Sequence, residues 1–436
     1  MIDLTDNSTE KGRQLLDRLR NRFTEADTGC RETVAGILAR VREDGDEAVI
    51  EFTRRFDAPN LEAGELKVSS AELESALDSI DETVVDTLKF AADRIRTFHE
   101  RELEDSWILT REDGAITGRL VRPVDSAGLY VPGGRGGSTP LVSSVLMNGI
   151  PAVLAGVKRM VMVTPPDNRG LVNPHLLAAA SVVGIHEIYK TGSAWAIGAL
   201  AYGTRSIPRV DVIVGPGNQY VAEAKRQVMG RVRIDMIAGP SEVLIVADST
   251  ANPVHVAADM LAQAEHDPLA SSVLLTTDRE LGRQVAAELE RQVSKLARED
   301  IARTSLRDCG AIITVASVDE AIDLANEIAV EHLELQIEDP WSQLPKVRHA
   351  GAIFLGPHTP EAAGDYVAGP NHVLPTMGMA RISSALGVET FLKKSSVISY
   401  SELALRQDAP HIRALAELEG LSAHANSVAL RVDDAG

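Results

Sequence analysis

The sequence predicts an α/β protein with two parallel-sheet domains, a helical N-terminal arm and a helical C-terminal tail. Three observations carry this. The chain has 436 residues, too many for one ordinary hydrophobic core. From the middle of the chain onward, short β-branched runs alternate with helical windows, the pattern of crossover units on parallel sheets. At both ends that rhythm is lost and apolar residues recur at helical spacing. An apolar fraction of 44% and a charged fraction of 25% are those of an average globular protein, so the whole chain is expected to fold.

Taken in order, Met1 to Phe23 mixes acids and bases at every turn and lacks the apolar stretch of an export signal. Val34, Ile37, Leu38 and Val41 mark a helical window from Cys30 to about Phe56, and Ser70 to about Glu102 repeats the pattern over a longer stretch. Trp107 to Thr110 and Ile116 to Val121 alternate around Asp113-Gly114, a hairpin signal. Gly136 to Val157 is charge-free and long enough to span a membrane, but Pro140, Asn148, Pro151 and several glycines interrupt it, which argues against a span. Strand runs follow at Met160 to Val163, Glu187 to Tyr189, Val210 to Val214, Val243 to Val246, Ser272 to Thr276, Ala311 to Val315, His332 to Leu335 and Ala352 to Leu355. After about Thr390 the chain reads as helical with a break at Gly420-Leu421.

A formal net charge of -19, with Lys and Arg scattered among acids, leaves no footprint for a phosphate backbone, so no nucleic acid is expected as a partner. Cys30 and Cys309 stand far apart with no C-x-x-C spacing, which predicts neither a disulfide framework nor a thiolate metal site. A reducing cytoplasm fits these features.

Four separated segments pool ligand-capable side chains. Asn252 to Glu265 reads as a helix with Asn252 or Thr250 as its cap and Pro253 at its first position. Near its end Gln263 and His266 lie three apart on one face; they read either as solvent-facing cap residues or as two ligands of one ion. Glu331-His332 sits where a helical window passes into a strand, and is either a surface dipeptide or a carboxylate and imidazole able to divide two proton transfers. Gly364-Asp365-Tyr366 and Gly369-Pro370-Asn371-His372 read as a turn-forming loop, with Asp365 a possible third ligand and His372 a possible substrate contact. Glu419 and His424 add a carboxylate and an imidazole in the tail, which is suited to reach across a dimer. Amide, imidazole and carboxylate together suit a borderline divalent ion. The turns Tyr130-Val131-Pro132-Gly133-Gly134 and Gly215-Pro216-Gly217-Asn218 follow strands, and are either plain structural turns or places where a cofactor's phosphates approach backbone N–H groups.

Assembled, these residues make the chain resemble the histidinol dehydrogenase family over nearly its whole length. The resemblance rests on Gly128 to Gly134, Val214 to Asn218, Asp235 to Glu242, Gln263 to Pro268, Glu331 to Glu334, Asn371 to Thr376, and Glu419-Gly420-Leu421 with Ala423-His424. It implies two Rossmann-like parallel-sheet domains, one discontinuous over 26–126 and 242–386 and one on the cofactor side over 127–241. To these are joined an arm over 1–25 and a dimer-crossing tail over 387–436. It also implies a homodimer with one zinc ion per subunit, held by Gln263, His266 and Asp365 of one protomer and His424 of the other, and an NAD site touching Tyr130 and Asn218. L-histidinol would be the substrate, contacted by Ser241, Gln263, His266, His332, Asp365, His372, Glu419 and His424. Glu331 and His332 would be the proton-transfer pair in a two-step oxidation through L-histidinaldehyde to L-histidine, the last step of histidine biosynthesis.

Two departures fall on the presumed cofactor side. The family motif Gly-Gly-Ala-Gln is here Gly192-Ser193-Ala194-Trp195, so an indole replaces a polar contact, and the loop Arg135 to Leu141 is longer than usual. Two rivals follow: a paralogue oxidising another polar alcohol, such as sulfopropanediol, and a non-enzymatic metal-binding protein of the same fold.

Overall fold

Alternating runs and windows become three sheets in the computed structural model, which describes residues 2, 4–22, 28–133 and 140–433. Numbered in chain order, the first strands are β1 (Leu4–Asp6), β2 (Trp107–Thr110), β3 (Ile116–Pro123), β4 (Ser126–Tyr130), β5 (Arg159–Thr164), β6 (Glu187–Lys190) and β7 (Val212–Val214). Next come β8 (Arg233–Ile234), β9 (Glu242–Ala247), β10 (Ser271–Thr276), β11 (Ala311–Thr314), β12 (His332–Gln336), β13 (Ala352–Leu355) and β14 (Leu392–Ser399). The chain divides into two units, Met1–Glu102 with Asp125–Phe391, and Leu103–Val124 with Leu392–Gly436.

The first unit holds both parallel sheets: six strands in the order β1-β11-β10-β9-β12-β13 and five in the order β6-β5-β4-β7-β8. Central strands such as β4 and β9 are buried along their whole length, which is why they read as short continuous runs rather than as alternations. Helices cover the sheets. On the five-stranded sheet, Val34, Leu38 and Val41 of the helix Thr28–Asp44 pack with Trp195, Ile197 and Leu200. Two apolar clusters lie along the six-stranded sheet, one around Val246, Leu275 and Ile313 and one around Ile245, Met260 and Val285.

The N-terminal arm is part of the six-stranded sheet. β1 pairs in parallel with β11, and the helix Glu10–Arg20, capped by Thr9, buries Leu16 and Leu19. The predicted helical window from Cys30 to Phe56 breaks at Gly45, whose φ of +57° suits glycine, giving the helices Thr28–Asp44 and Asp46–Phe56. Ser70 to Glu102 likewise splits at Asp81, which caps the helix Glu82–His99. The charge-free run becomes the buried helix Val142–Ala155 with Pro151 inside it. Among the described residues no helix is long and apolar enough to cross a membrane.

The second unit is an antiparallel sheet in the order β14-β3-β2 with the paired helices Glu402–Leu418 and Ser422–Val432. The Asp113-Gly114 hairpin is present, but it pairs with β14 rather than leading into a parallel sheet. The tail therefore opens on a strand, contrary to its helical reading: Leu-Lys-Lys-Ser-Ser-Val-Ile-Ser lies exposed on both faces and so carries no clean alternation.

Candidate active site

β9 and β12 lie side by side in the six-stranded sheet, with Val243 opposite His332, so Glu242 and Glu331 end the two strands at the same amino-terminal edge. There the side chains of the Glu331-His332 pair occupy the main chain of Glu242. The Glu331 Oε2 accepts from the Glu242 N–H at 2.8 Å, and the His332 Nδ1 lies 3.0 Å from the Glu242 carbonyl. A carbonyl can only accept, so Nδ1 carries the proton and Nε2 of the neutral ring keeps the lone pair of a base. Both residues are buried. Burial pushes the Glu331 carboxyl well above the usual carboxylate range, with the charges of Glu242 and Asp365 adding to it. Burial also holds the His332 imidazole down at about 3, and His266 and His372 push the same way.

The other segments arrive at this edge from different elements. The helix Pro253–Ala264 follows β9 and runs back along the sheet; Asn252 caps it by accepting from the Val254 N–H, and Gln263 and His266 stand at its end. Gln263 is fully buried, yet neither its amide nitrogen nor its amide oxygen has a hydrogen-bond partner. His266 is exposed, but the surrounding protein still lowers its imidazole below the ordinary histidine value. Asp365 lies not in a loop, as its Gly-rich surroundings suggested, but in the one-and-a-half-turn helix Glu361–Tyr366. Gly364 fits there because a Cβ would press within 2.7 Å of the Phe354 ring. Burial raises Asp365 to about 6, and lowers His372, 3.9 Å from it, to about 4.

Sequence reasoning missed Glu361. Its carboxylate lies 3.8 Å from the His332 Nδ1 and joins His266 and Asp365 in a group whose ligand atoms all fall within 4.8 Å of one another. Burial, then the charges of Asp365, Glu331 and Glu334, raise it well above the usual range, and its Oε2 has no partner. Glu361 and Asp365 are four apart, one helical turn, and that spacing was the available signal. A cavity of about 300 Å³ adjoins the group, lined by His332, Phe354, Asp365, Asn371 and His372 and, from the helix Glu82–His99, by His99. The His99 Nδ1 is 2.8 Å from Glu102 and its Nε2 is buried without a partner.

Crowded carboxyls, neutral imidazoles and an amide with no protein partner are what a cation would satisfy. The donor types of His266, Glu361 and Asp365, with the unpartnered Gln263 amide on the same helix end as His266, suit a borderline divalent ion. Ser241, half-buried, immediately precedes β9, and its carbonyl accepts from the Ser271 N–H at 2.9 Å. Glu419 and His424 belong to the second unit. Both are exposed, Glu419 ending the helix Glu402–Leu418 and His424 in the first turn of the helix Ser422–Val432, beyond the expected break at Gly420 (φ +71°).

The two Gly-rich turns follow β4 and β7, at the carboxyl edge of the five-stranded sheet where open α/β sheets take nucleotides. Exposed Asn218 caps the helix Gln219–Val228, accepting from the Tyr220 and Val221 N–H groups. Tyr130 is buried, its hydroxyl accepts from the Ser193 N–H at 3.2 Å, and burial pushes it up to about 12. Gly215 is required twice over, by its φ of +113° and because a Cβ would fall 2.1 Å from the Tyr130 carbonyl. The Tyr220 and Val221 N–H groups are thus already capped by Asn218, as the Tyr130 hydroxyl is already engaged inside the protein. Trp195 is a core residue, stacked on Phe52 and Phe56 with its Nε1 donating to Thr53 at 3.1 Å. Of the longer loop, Arg135 to Thr139 lie outside the described residues. A larger depression of about 400 Å³ lies elsewhere, at Arg209–Asp211 and Met229–Ile234, and contains none of these groups.

The family model described as histidinol dehydrogenase matches residues 20–432. A histidinol dehydrogenase of Desulfotalea psychrophila is 66% identical over 97% of this chain and 98% of its own. That of Nitratidesulfovibrio vulgaris is 54% identical over 98% of each. A crystal structure of histidinol dehydrogenase from Elizabethkingia anophelis superposes with a TM-score of 0.92 at 38% identity, covering 99% of this chain and 98% of that one.

Proposed function

Because this chain belongs to the histidinol dehydrogenase family, we propose that it oxidises L-histidinol to L-histidine through L-histidinaldehyde at a single site. Two NAD are consumed in two hydride transfers, the last step of histidine biosynthesis. The observation that carries this reading is the convergence of His266, Asp365 and Glu361 beside the buried Glu331-His332 pair, with the unpartnered Gln263 amide one helical turn before His266. Gln263, His266, Asp365 and a second protomer's His424 would hold a zinc ion, which when bound would supply Lewis-acid chemistry toward the substrate's amine and imidazole, and the Asn218 edge would hold the NAD that supplies oxidising power.

The protein's own groups handle the protons. His332 takes the hydroxyl proton of the alcohol through Nε2 as the carbinol C–H bond gives up its hydride. Glu331 then takes a proton from water as the water oxygen bonds to the aldehyde carbon, while His332 passes its proton to the aldehyde oxygen, which gives the hydrate and frees Nε2 again. His332 takes a hydroxyl proton of the hydrate as the second hydride leaves, and the carboxylic acid so formed, Glu331 and His332 then release their protons to solvent, leaving the carboxylate. Ser241, His372 and Glu419 orient the substrate's polar groups, and the buried setting keeps bulk water from competing.

The second unit supports a homodimer. Trp107, Ile108, Leu109, Ile398, Leu415 and Leu418 are all more than half exposed, more apolar surface than a free face usually presents. The test of the reaction is the stoichiometry of NADH formed from limiting L-histidinol. Two NADH per substrate, with histidine as product, is the expected result. Accumulation of aldehyde at one equivalent, or turnover only of another polar alcohol, overturns the reading.

A further inference from the structure

The amino-terminal arm reaches the start of β9 through Arg22. Arg22 follows the helix Glu10–Arg20, and its guanidinium forks onto the Glu242 carboxylate, with Nε on Oε1 and Nη2 on Oε2 at 2.7 Å. The Arg22 Nη1 donates to the Leu19 carbonyl at 2.6 Å and to the Ile328 carbonyl at 2.9 Å. The Glu242 Oε2 also accepts from the Met377 N–H at 3.1 Å. The carboxylate is 3% exposed and the guanidinium 12%, so the charge is compensated inside the protein and little by solvent.

Glu242 is the first residue of β9, in register with Ser271 of β10, and its N–H and C=O also meet the side chains of Glu331 and His332. Its N–H fixes one Glu331 oxygen, and its C=O fixes the proton-bearing nitrogen of His332. Side chain and main chain of one residue therefore connect the arm to both groups that move protons. We propose that Arg22 and Glu242 form a positioning pair, in which the arm's guanidinium, by anchoring the Glu242 side chain, sets the peptide orientation that aims the Glu331 carboxylate and the His332 ring. This rests on the proton-transfer roles proposed above.

A buried carboxylate stripped of its cation either takes up a proton or turns toward water, and either change moves the peptide beside Glu331 and His332. Displacements on the ångström scale at a reacting group cost up to about a hundredfold in rate. Arg22 is placed to touch neither substrate nor metal, so its loss should fall on kcat. The test uses the full-length, zinc-loaded protein in wild-type, Arg22→Lys, Arg22→Ala, Glu242→Gln and Arg22→Ala/Glu242→Gln forms, reading kcat and KM for histidinol, zinc content and melting temperature.

Arg22→Ala is expected to lose about tenfold to a hundredfold in kcat with KM and zinc content unchanged. Arg22→Lys recovers most of that loss, and the double variant falls no further than the worse single one, because the two residues act as a unit. Wild-type kcat in Arg22→Ala, or losses that add in the double variant, overturns the proposal. So does a parallel fall of kcat, zinc content and melting temperature, which marks a merely structural contact. If Arg22→Ala does not fold, Glu242→Gln against Arg22→Lys decides: a kcat loss confined to Glu242→Gln supports the pair, and equal kcat in the two removes it. An inactive wild-type protein would instead strike at the proposed reaction.

Discussion

At the scale of single residues, the proposed site divides into groups assigned to binding and groups assigned to proton transfer, and substitutions separate them. Glu331→Gln keeps an oxygen to accept from the Glu242 N–H, now at 2.8 Å, so fold and zinc content should survive. What is lost is the base toward water, and the aldehyde-to-acid step should slow by about a hundredfold or more, read as aldehyde accumulation and one NADH per histidinol. Full acid formation would remove Glu331 from its role. His266→Asn should instead release zinc, read by metal analysis, because a shorter amide cannot reach where the imidazole meets Asp365 and Glu361. Retention of zinc at the wild-type level would argue that the ion, if any, sits elsewhere. His266 and Asp365, which the structure brings together, stood out in the sequence as rare donor types, as did Gln263 and the Glu331-His332 pair. Glu361 did not, since Gly364, Gly369 and Pro370 made its segment read as a turn; neither did His99, because a histidine ending a long helix carries no signal until the cavity beside it is seen.

At the scale of elements, the long buried strands and the helix Pro253–Ala264 were readable from apolar runs and caps, whereas β1 and β8, at three and two residues, are too short to carry a period. The helix Ser193–Tyr202 shows how context decides a side chain's use. Its Trp195, expected to disturb a cofactor contact, is stacked against Phe52 and Phe56. Trp195→Phe keeps the stacking and forfeits the bond to Thr53, so it should cost about 1 kcal/mol of stability and leave KM for NAD unchanged. A raised KM for NAD would return the position to the cofactor site. The helix Asp46–Phe56 ends on Asp57, whose Oδ2 is buried without a partner and whose carboxyl burial raises to about 6. In the unfolded chain that group titrates near 3.8, so the folded state binds the extra proton and loses stability as pH climbs from about 4 to about 6. Asp57→Asn should therefore gain up to about 3 kcal/mol at neutral pH and nothing near pH 3.5, measured as urea midpoints at the two pH values. A gain independent of pH would show that the charge is not the cause.

At the scale of the whole molecule, the first unit contains the acid/base pair and three of the expected ligands, while Glu419 and His424 belong to the second unit. The tail was legible as an appendage because its apolar residues leave the strand rhythm, but its strand β14 was hidden by exposure on both faces. A lone copy of the second unit leaves Leu415 and Leu418 of one helix and Ile108 and Leu109 of the sheet in water, a cost that burial against another copy relieves. If the tail crosses over, each site takes its histidine from the other chain, and two dead proteins can repair one another. Gln263→Ala spoils a site from within and His424→Asn spoils the site of the neighbour. In a dimer with one chain of each kind, one site inherits both defects and the other inherits none. Random re-association of equal amounts makes half of the dimers mixed, each with one good site of two, so activity should return to about a quarter of the wild-type value per chain. Separately refolded controls stay inactive. A mixture as inactive as its components would mean that His424 serves its own chain.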